Sequence, residues 1–197
     1  FTATEVCEGN PTTFVDQSTV STGAISGHDW DFGDNSGTST NADPTYTYAS
    51  AGTYAVALGV TSSDGCLAAT TQNVTVNPLP VLGVVQTDIL CAGENNGSAI
   101  ADAVGGTAPY SYQWTDPLQS STAAIQNLGP GPYTVTVVDG LGCSSQSTIV
   151  IAEPLPINIQ LTTYPDTCGT GNGAIRANMI GGTAPFDYHW SSIRDSA

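Results

Sequence analysis

The ten residues Gly105-Gly106-Thr107-Ala108-Pro109-Tyr110-Ser111-Tyr112-Gln113-Trp114 return as Gly181-Gly182-Thr183-Ala184-Pro185-Phe186-Asp187-Tyr188-His189-Trp190, 76 positions later. Self-similarity at a fixed period makes the chain a tandem array rather than one compact fold. The likeness runs beyond that phrase: ten of the nineteen residues from Asn96 to Trp114 are identical to those from Asn172 to Trp190. Pro78-Leu79-Pro80 likewise returns as Pro154-Leu155-Pro156, whereas Cys91 and Cys168 are 77 apart, so one residue slips in the intervening loop. The period divides 197 residues into units at 1–79, 80–155 and 156–197, two complete and one partial. A half-unit has too few strands to bury a core, so the expectation is a segment of a longer protein.

Period-two alternation dominates. Tyr54, Val56, Leu58 and Val60 share one face of the stretch from Thr53 to Val60, and Tyr133, Val135 and Val137 alternate with Thr134 and Thr136. That pattern marks half-buried antiparallel strands. Asp64-Gly65, Asn96-Gly97, Gly105-Gly106 and Asp139-Gly140 supply the turns between them. Short strands, frequent turns, and one Trp with one Cys pair per repeat predict an all-β fold of tandem immunoglobulin-like β-sandwich domains in an extended array. Trp30, Trp114, Trp190, Tyr54 and Tyr133 are the expected core aromatics. The alternating prolines at 78–80 and 154–156 favour extended, semi-rigid spacers.

Seventeen acids face two arginines and no lysine, a net charge of −15. Such a surface repels phosphate backbones and excludes nucleic acid as a partner. It equally disfavours an anionic membrane surface, and no apolar run approaches the roughly 18 residues of a membrane helix. Five cysteines point to an oxidising, extracellular location. The simplest of the pairings they allow is one bridge per domain, Cys7 with Cys66 and Cys91 with Cys143, leaving Cys168 unpaired in this segment.

Two stretches carry family likeness. His28-Asp29-Trp30-Asp31-Phe32-Gly33-Asp34, followed by Tyr46-Thr47-Tyr48 and Gly52-Thr53-Tyr54-Ala55-Val56-Ala57-Leu58, strongly resembles a PKD domain over residues 4–77. The later units, with Cys91-x-Gly93-x-x-Asn96-Gly97-Ser98-Ala99, the Gly-Gly-Thr-Ala-Pro phrase, Gly131-Pro132-Tyr133-Thr134-Val135 and Gly142-Cys143, resemble SprB repeats. The resemblance implies a large surface adhesin of gliding bacteria that use type IX secretion. It implies a cell-surface or secreted protein, not a particular ligand; the partners expected are neighbouring repeats, surface glycans or further copies of the chain.

Catalytic chemistry is thin, and no enzyme active site is expected. His28 and His189 each lie close before a strand Trp, with no nucleophile at a meaningful spacing. Asp29, Asp31 and Asp34 form the one tight carboxylate cluster and are the candidate calcium ligands, although Thr40 occupies the place an EF-hand gives to glutamate. The bland alternative sends Trp30 and Phe32 inward and leaves the aspartates in solvent. The rows Tyr110, Tyr112, Trp114 and Phe186, Tyr188, Trp190 could stack sugars. Their opposite face varies between copies while the aromatic face keeps its character, which favours core strands. Asp195-Ser196-Ala197 fits a short O-glycosylation pattern of the same bacterial group.

Overall fold

The computed structural model describes residues 1–169 and 171–191, and every regular element among them is a β-strand. Arg194 and the Asp195-Ser196-Ala197 pattern lie outside the described residues. The chain divides into two compact units. One comprises residues 1–83, 101–123 and 134–147, the other residues 84–100, 124–133 and 148–197.

The N-terminal domain supplies β1 (Thr2–Ala3), β2 (Val6–Cys7), β3 (Pro11–Val15), β4 (Ile25–Asp31), β5 (Thr38–Ser39), β6 (Thr45–Thr47), β7 (Gly52–Ser62) and β8 (Leu67–Asn77). A five-stranded sheet runs β2-β8-β7-β4-β5 and a three-stranded sheet runs β1-β3-β6. In β7, Val56 and Leu58 are buried with Tyr54 and Val60 partly so, as the alternation predicts. Phe14, Trp30, Phe32 and Tyr48 join them with Val74 and Val76 in one core. Burying a large apolar side chain contributes roughly 1.5–3 kcal/mol. The rings meet as tilted or stacked pairs, Phe14 to Trp30 at 5.4 Å and Phe32 to Tyr46 at 4.2 Å. The two buried polar ends in this core find acceptors, Trp30 Nε1 donating to Asn41 O at 2.9 Å and Tyr48 Oη to Phe32 O at 3.0 Å.

Residues 81–151 supply β9 (Val81–Thr87), β10 (Gly97–Val104), β11 (Ser111–Trp114), β12 (Ala124–Leu128), β13 (Gly131–Val138) and β14 (Ser144–Ile151). They form two three-stranded sheets, β12-β10-β9 and β11-β13-β14. Alternate residues are buried: Ala99, Ala101 and Ala103 on β10, Tyr133, Val135 and Val137 on β13. Trp114, 1% exposed, pairs with Val135 and donates from Nε1 to Thr122 O at 2.9 Å. Tyr133 Oη donates to Gly129 O and Tyr54 Oη to Ser50 O, each four residues upstream, so β13 and β7 start from the same tyrosine anchor. A tyrosine tied back in this way is an immunoglobulin-type signature. Tyr133 is buried and Tyr54 half-buried.

The last two strands, β15 (Asn158–Tyr164) and β16 (Ala174–Ile180), pair only with each other. Ile159 faces Met179 and Leu161 faces Ala177 across the hairpin, yet Ile159, Leu161 and Ile175 are all more than half exposed. Trp190, expected in a core, is 58% exposed, and residues 186–190 form no strand. The reason is topological. Trp114 is buried because β11 pairs with β13, and among the described residues Trp190 has no such strand beside it.

Candidate functional site: a cross-linked joint

The site is built where the first domain hands over to the second. β8 ends at Asn77 and β9 begins at Val81, with Pro78-Leu79-Pro80 between. Proline donates no N–H, so ladder pairing stops there. β2 runs parallel to the end of β8, Val6 opposite Val76 and Cys7 opposite Asn77, and Glu8 N donates to Asn77 O at 2.8 Å. Cys7 therefore stands at the exit of its own domain.

The Gly105-Gly106-Thr107 loop reaches the same place. Gly105 and Gly106 have φ of 70° and 61°, left-handed values that favour glycine. A Cβ on Gly106 would lie 3.2 Å from Pro80 N and 2.7 Å from Asp139 Oδ2, so backbone and carboxylate occupy the space a side chain would need. Asp139 clasps this loop to the closing turn. Its Oδ2 accepts from Thr107 N at 2.8 Å, and its Oδ1 accepts from Leu141 N at 3.0 Å and Cys143 N at 2.8 Å. Burial alone would raise its carboxyl pKa, but the backbone N–H donors, led by Thr107, outweigh burial and hold it below the ordinary value.

Cys143, fixed by that carboxylate, is disulfide-bonded to Cys7, with Cα atoms 5.5 Å apart and a sequence separation of 136. This corrects the expected pairing. Neither Cys7–Cys66 nor Cys91–Cys143 forms, and Cys66, Cys91 and Cys168 are exposed free thiols. Cys66 immediately precedes β8 while Cys7 lies beside its last residue. Eleven strand residues separate those ends by roughly 33 Å, far beyond the ~7 Å limit for bridging Cα atoms. Cys143 likewise precedes β14, whereas Ile89, two residues before Cys91, donates to Ala152 O just past the end of that strand.

The aspartate cluster is put to other use. Trp30 and Phe32 are buried and Asp29 and Asp31 exposed, as the strand alternation predicts. Asp31 Oδ1 accepts from Gly33 N at 2.9 Å. Asp34 accepts from Tyr46 Oη at 2.6 Å and from Gly37 N and Ser36 N at 2.8 and 3.0 Å, which lowers its pKa to about 2, the Tyr46 bond contributing most. Among the described residues no three His, Cys, Asp or Glu side chains gather as a metal site, so Asp29, Asp31 and Asp34 do not assemble the expected calcium ligands. The carboxylate of Asp34 holds a turn.

The same domain contains a pair that the sequence does not announce. His28 Nε2 lies 2.9 Å from Asp16 Oδ2, whose other oxygen accepts from Ser18 N and Oγ. Burial works to raise the Asp16 pKa, but the Ser18 and His28 partners prevail and lower it. Tyr110 and Tyr112 are half-buried beside the buried Trp114, and the Tyr110 hydroxyl donates to Gly105 O. The aromatic row of this repeat thus serves packing and the glycine loop.

Residues 1–78 match the PKD domain model, and residues 83–119 and 161–194 match the SprB repeat model. A 50-residue stretch is 50% identical to a microbial collagenase of Vibrio alginolyticus, covering 25% of this chain and 6% of that protein. Among solved structures, a C-terminal fragment of intimin in complex with the intimin-binding domain of the translocated intimin receptor aligns with 81% of this chain and 67% of its own. It does so at 14% identity and a TM-score of 0.43. Fibronectin(III)-like modules of CbhA from Clostridium thermocellum align with 77% of this chain and 90% of theirs, at 16% identity and a TM-score of 0.38. The chain is a PKD domain followed by SprB repeats.

Proposed function

We propose that this segment is a non-catalytic spacer of a secreted or cell-surface bacterial adhesin-like protein, built from units at 1–79, 80–155 and 156–197. Its job is to set distance and to resist extension. The observation that supports this reading is the Cys7–Cys143 bond, which crosses the Pro78-Leu79-Pro80 joint instead of closing either domain on itself. A bond placed so keeps the residues between its ends from extending while the remainder of the chain carries load. Adhesion, gliding and type IX export are the wider roles that SprB repeats suggest for the parent protein. The scarcity of cleavage points adds protease resistance, since two arginines and no lysine leave trypsin-like enzymes little to cut.

Single-molecule pulling on the whole chain tests the proposal. Without reductant, the 136-residue span between Cys7 and Cys143 stays closed. Adding reductant should lengthen the fully extended chain by about 490 Å at ~3.6 Å per residue. Equal extension with and without reductant would remove the mechanical reading. The collagenase likeness supports a second reading, an accessory module of a secreted degradative enzyme. Saturable binding of the whole chain to collagen or a polysaccharide would favour that reading.

A further inference from the structure

Cys7 and Cys91 occupy the same local structure. Cys7 O accepts from Asn10 N at 3.0 Å and Cys91 O from Glu94 N at 3.2 Å, each across a turn whose third residue is a left-handed glycine, Gly9 at φ 82° and Gly93 at 83°. Each turn rests on the residues that precede a Pro-Leu-Pro spacer. Glu8 N donates to Asn77 O in one case, and Gly93 N donates to the Glu153 carboxylate in the other. The closing turns also match. Ser62 N donates to Cys66 O and Asp139 N to Cys143 O, both at 2.9 Å, while Ser62 Oγ and Asp139 Oδ1 accept from the respective cysteine N–H. Each domain thus has an opening and a closing cysteine, and the one bond formed joins the opening cysteine of the first to the closing cysteine of the second.

The surroundings of that bond recur around Cys91. Cys91 lines a groove of about 310 Å³ with Leu90, Pro154, Leu155, Ile157 and Gly182. Gly182 N donates to Leu155 O at 2.8 Å, which fixes the second glycine loop on the second spacer. In the bonded joint, the matching loop at Gly106-Thr107 carries, through Asp139, the turn that presents Cys143. Cys91 stands where Cys7 stands, with spacer and glycine loop in place and the thiol exposed.

We propose that Cys91 is the acceptor of an inter-repeat disulfide, and that its partner is the cysteine of an Asp-Gly-x-Gly-Cys closing turn from the SprB repeat that follows. The bonds then stagger along the array, each opening cysteine joined to the closing cysteine of the next domain. This needs only the tandem order of the domains and not the spacer role. Bond formation removes two protons and two electrons from the two thiols. A small disulfide such as oxidised glutathione accepts them through a mixed disulfide, from which the second cysteine displaces glutathione.

The test duplicates repeat two in place, giving residues 1–155, then 80–155, then 156–197, so that a repeat with its own closing turn follows Cys91. Leu141→Val in the added copy gives its closing peptide a distinct mass. After refolding with oxidised glutathione, free thiols are alkylated and counted by intact mass, and the bridges are mapped without reduction. The staggered arrangement leaves three thiols and yields a peptide joining the first Cys91 to the marked Cys143. Five thiols, with Cys7–Cys143 as the one bridge, overturn it, and so does a single thiol with each domain closed on itself. Cys91→Ala in the first copy should free the marked Cys143 for alkylation, and the proposal fails if that cysteine stays bridged. Bridges between separate chains, read as dimers on a non-reducing gel in place of the internal link, also overturn it.

Discussion

Replacing Cys7 with serine should destabilise both domains, although the bond crosses between them. The magnitude follows from where Cys7 sits. Because Cys7 is paired in register with Asn77, a folded first domain holds the bond's near end beside its own exit. When the second domain alone unfolds, the bond still closes a loop from Asn77 to Cys143, about 66 residues, worth roughly 4 kcal/mol in loop-closure entropy. If both domains unfold together the closed loop spans 136 residues, and the same relation gives about 5 kcal/mol. The first route lowers the melting temperature by roughly 16–32 °C for a domain under about 100 residues, and the second by roughly 10–20 °C for a cooperative unit of about 150.

The assay is guanidinium denaturation followed through single tryptophans. Trp30 reports the first domain and Trp114 the second, both being at most 1% exposed, while Trp190 is replaced by phenylalanine. Cys7→Ser and Cys143→Ser should lower the Trp114 midpoint equally, whereas Cys66→Ser and Cys91→Ser should leave it unchanged, their thiols being free and exposed. A large loss from Cys66→Ser with none from Cys143→Ser would show that each domain closes on itself, and the reasoning from the ends of β8 would be wrong.

Other outcomes follow from the same geometry. Asp34, with a pKa of about 2 against an ordinary 3.8, contributes stability that is complete above about pH 5 and is lost as pH falls from 4 towards 2. Urea midpoints measured across that range should drop, and Tyr46→Phe, removing the largest cause of the shift, should flatten the drop. Trp114→Ala should cost about 3–5 kcal/mol as a core truncation. Trp190→Ala should stay within about 0.5 kcal/mol in this chain, as an exposed site. Both are read by chemical denaturation. Gly106→Ala should cost more than Gly142→Ala in the same assay. Both positions have positive φ, but a methyl at Gly106 meets Asp139 and Pro80 while one at Gly142 meets nothing within 4 Å.

The strands and their inward faces are legible in the sequence because alternation is a local property. Val56 and Leu58 on β7 and Val135 and Val137 on β13 follow from a reading of eight residues at a time. The disulfide is not legible in that way. Sequence separation gives the length of a loop, whereas pairing depends on which end of a strand each cysteine occupies, and β8 places Cys66 and Cys7 at opposite ends. Trp190 misleads for a related reason: its ten-residue phrase matches that of Trp114, but burial comes from a strand about 20 residues further along. The clasp by Asp139 reads in sequence as a plain Asp-Gly turn. The signal that could have exposed it is the cysteine four residues later, since a carboxylate at that spacing can accept from the N–H of the cysteine.

The joint explains why two unrelated phrases recur at one period. Pro-Leu-Pro supplies a spacer whose two prolines donate no N–H, and Gly-Gly supplies a loop that can lie against it without side chains in the way. Gly106 abuts Pro80 in the first joint, and Gly182 N bonds to Leu155 O in the second. Tyr110, three residues beyond the loop, donates back to Gly105 O, so even the start of the aromatic row serves the turn. The glycines of the Gly-Gly-Thr-Ala-Pro phrase are therefore set by contact with the preceding spacer.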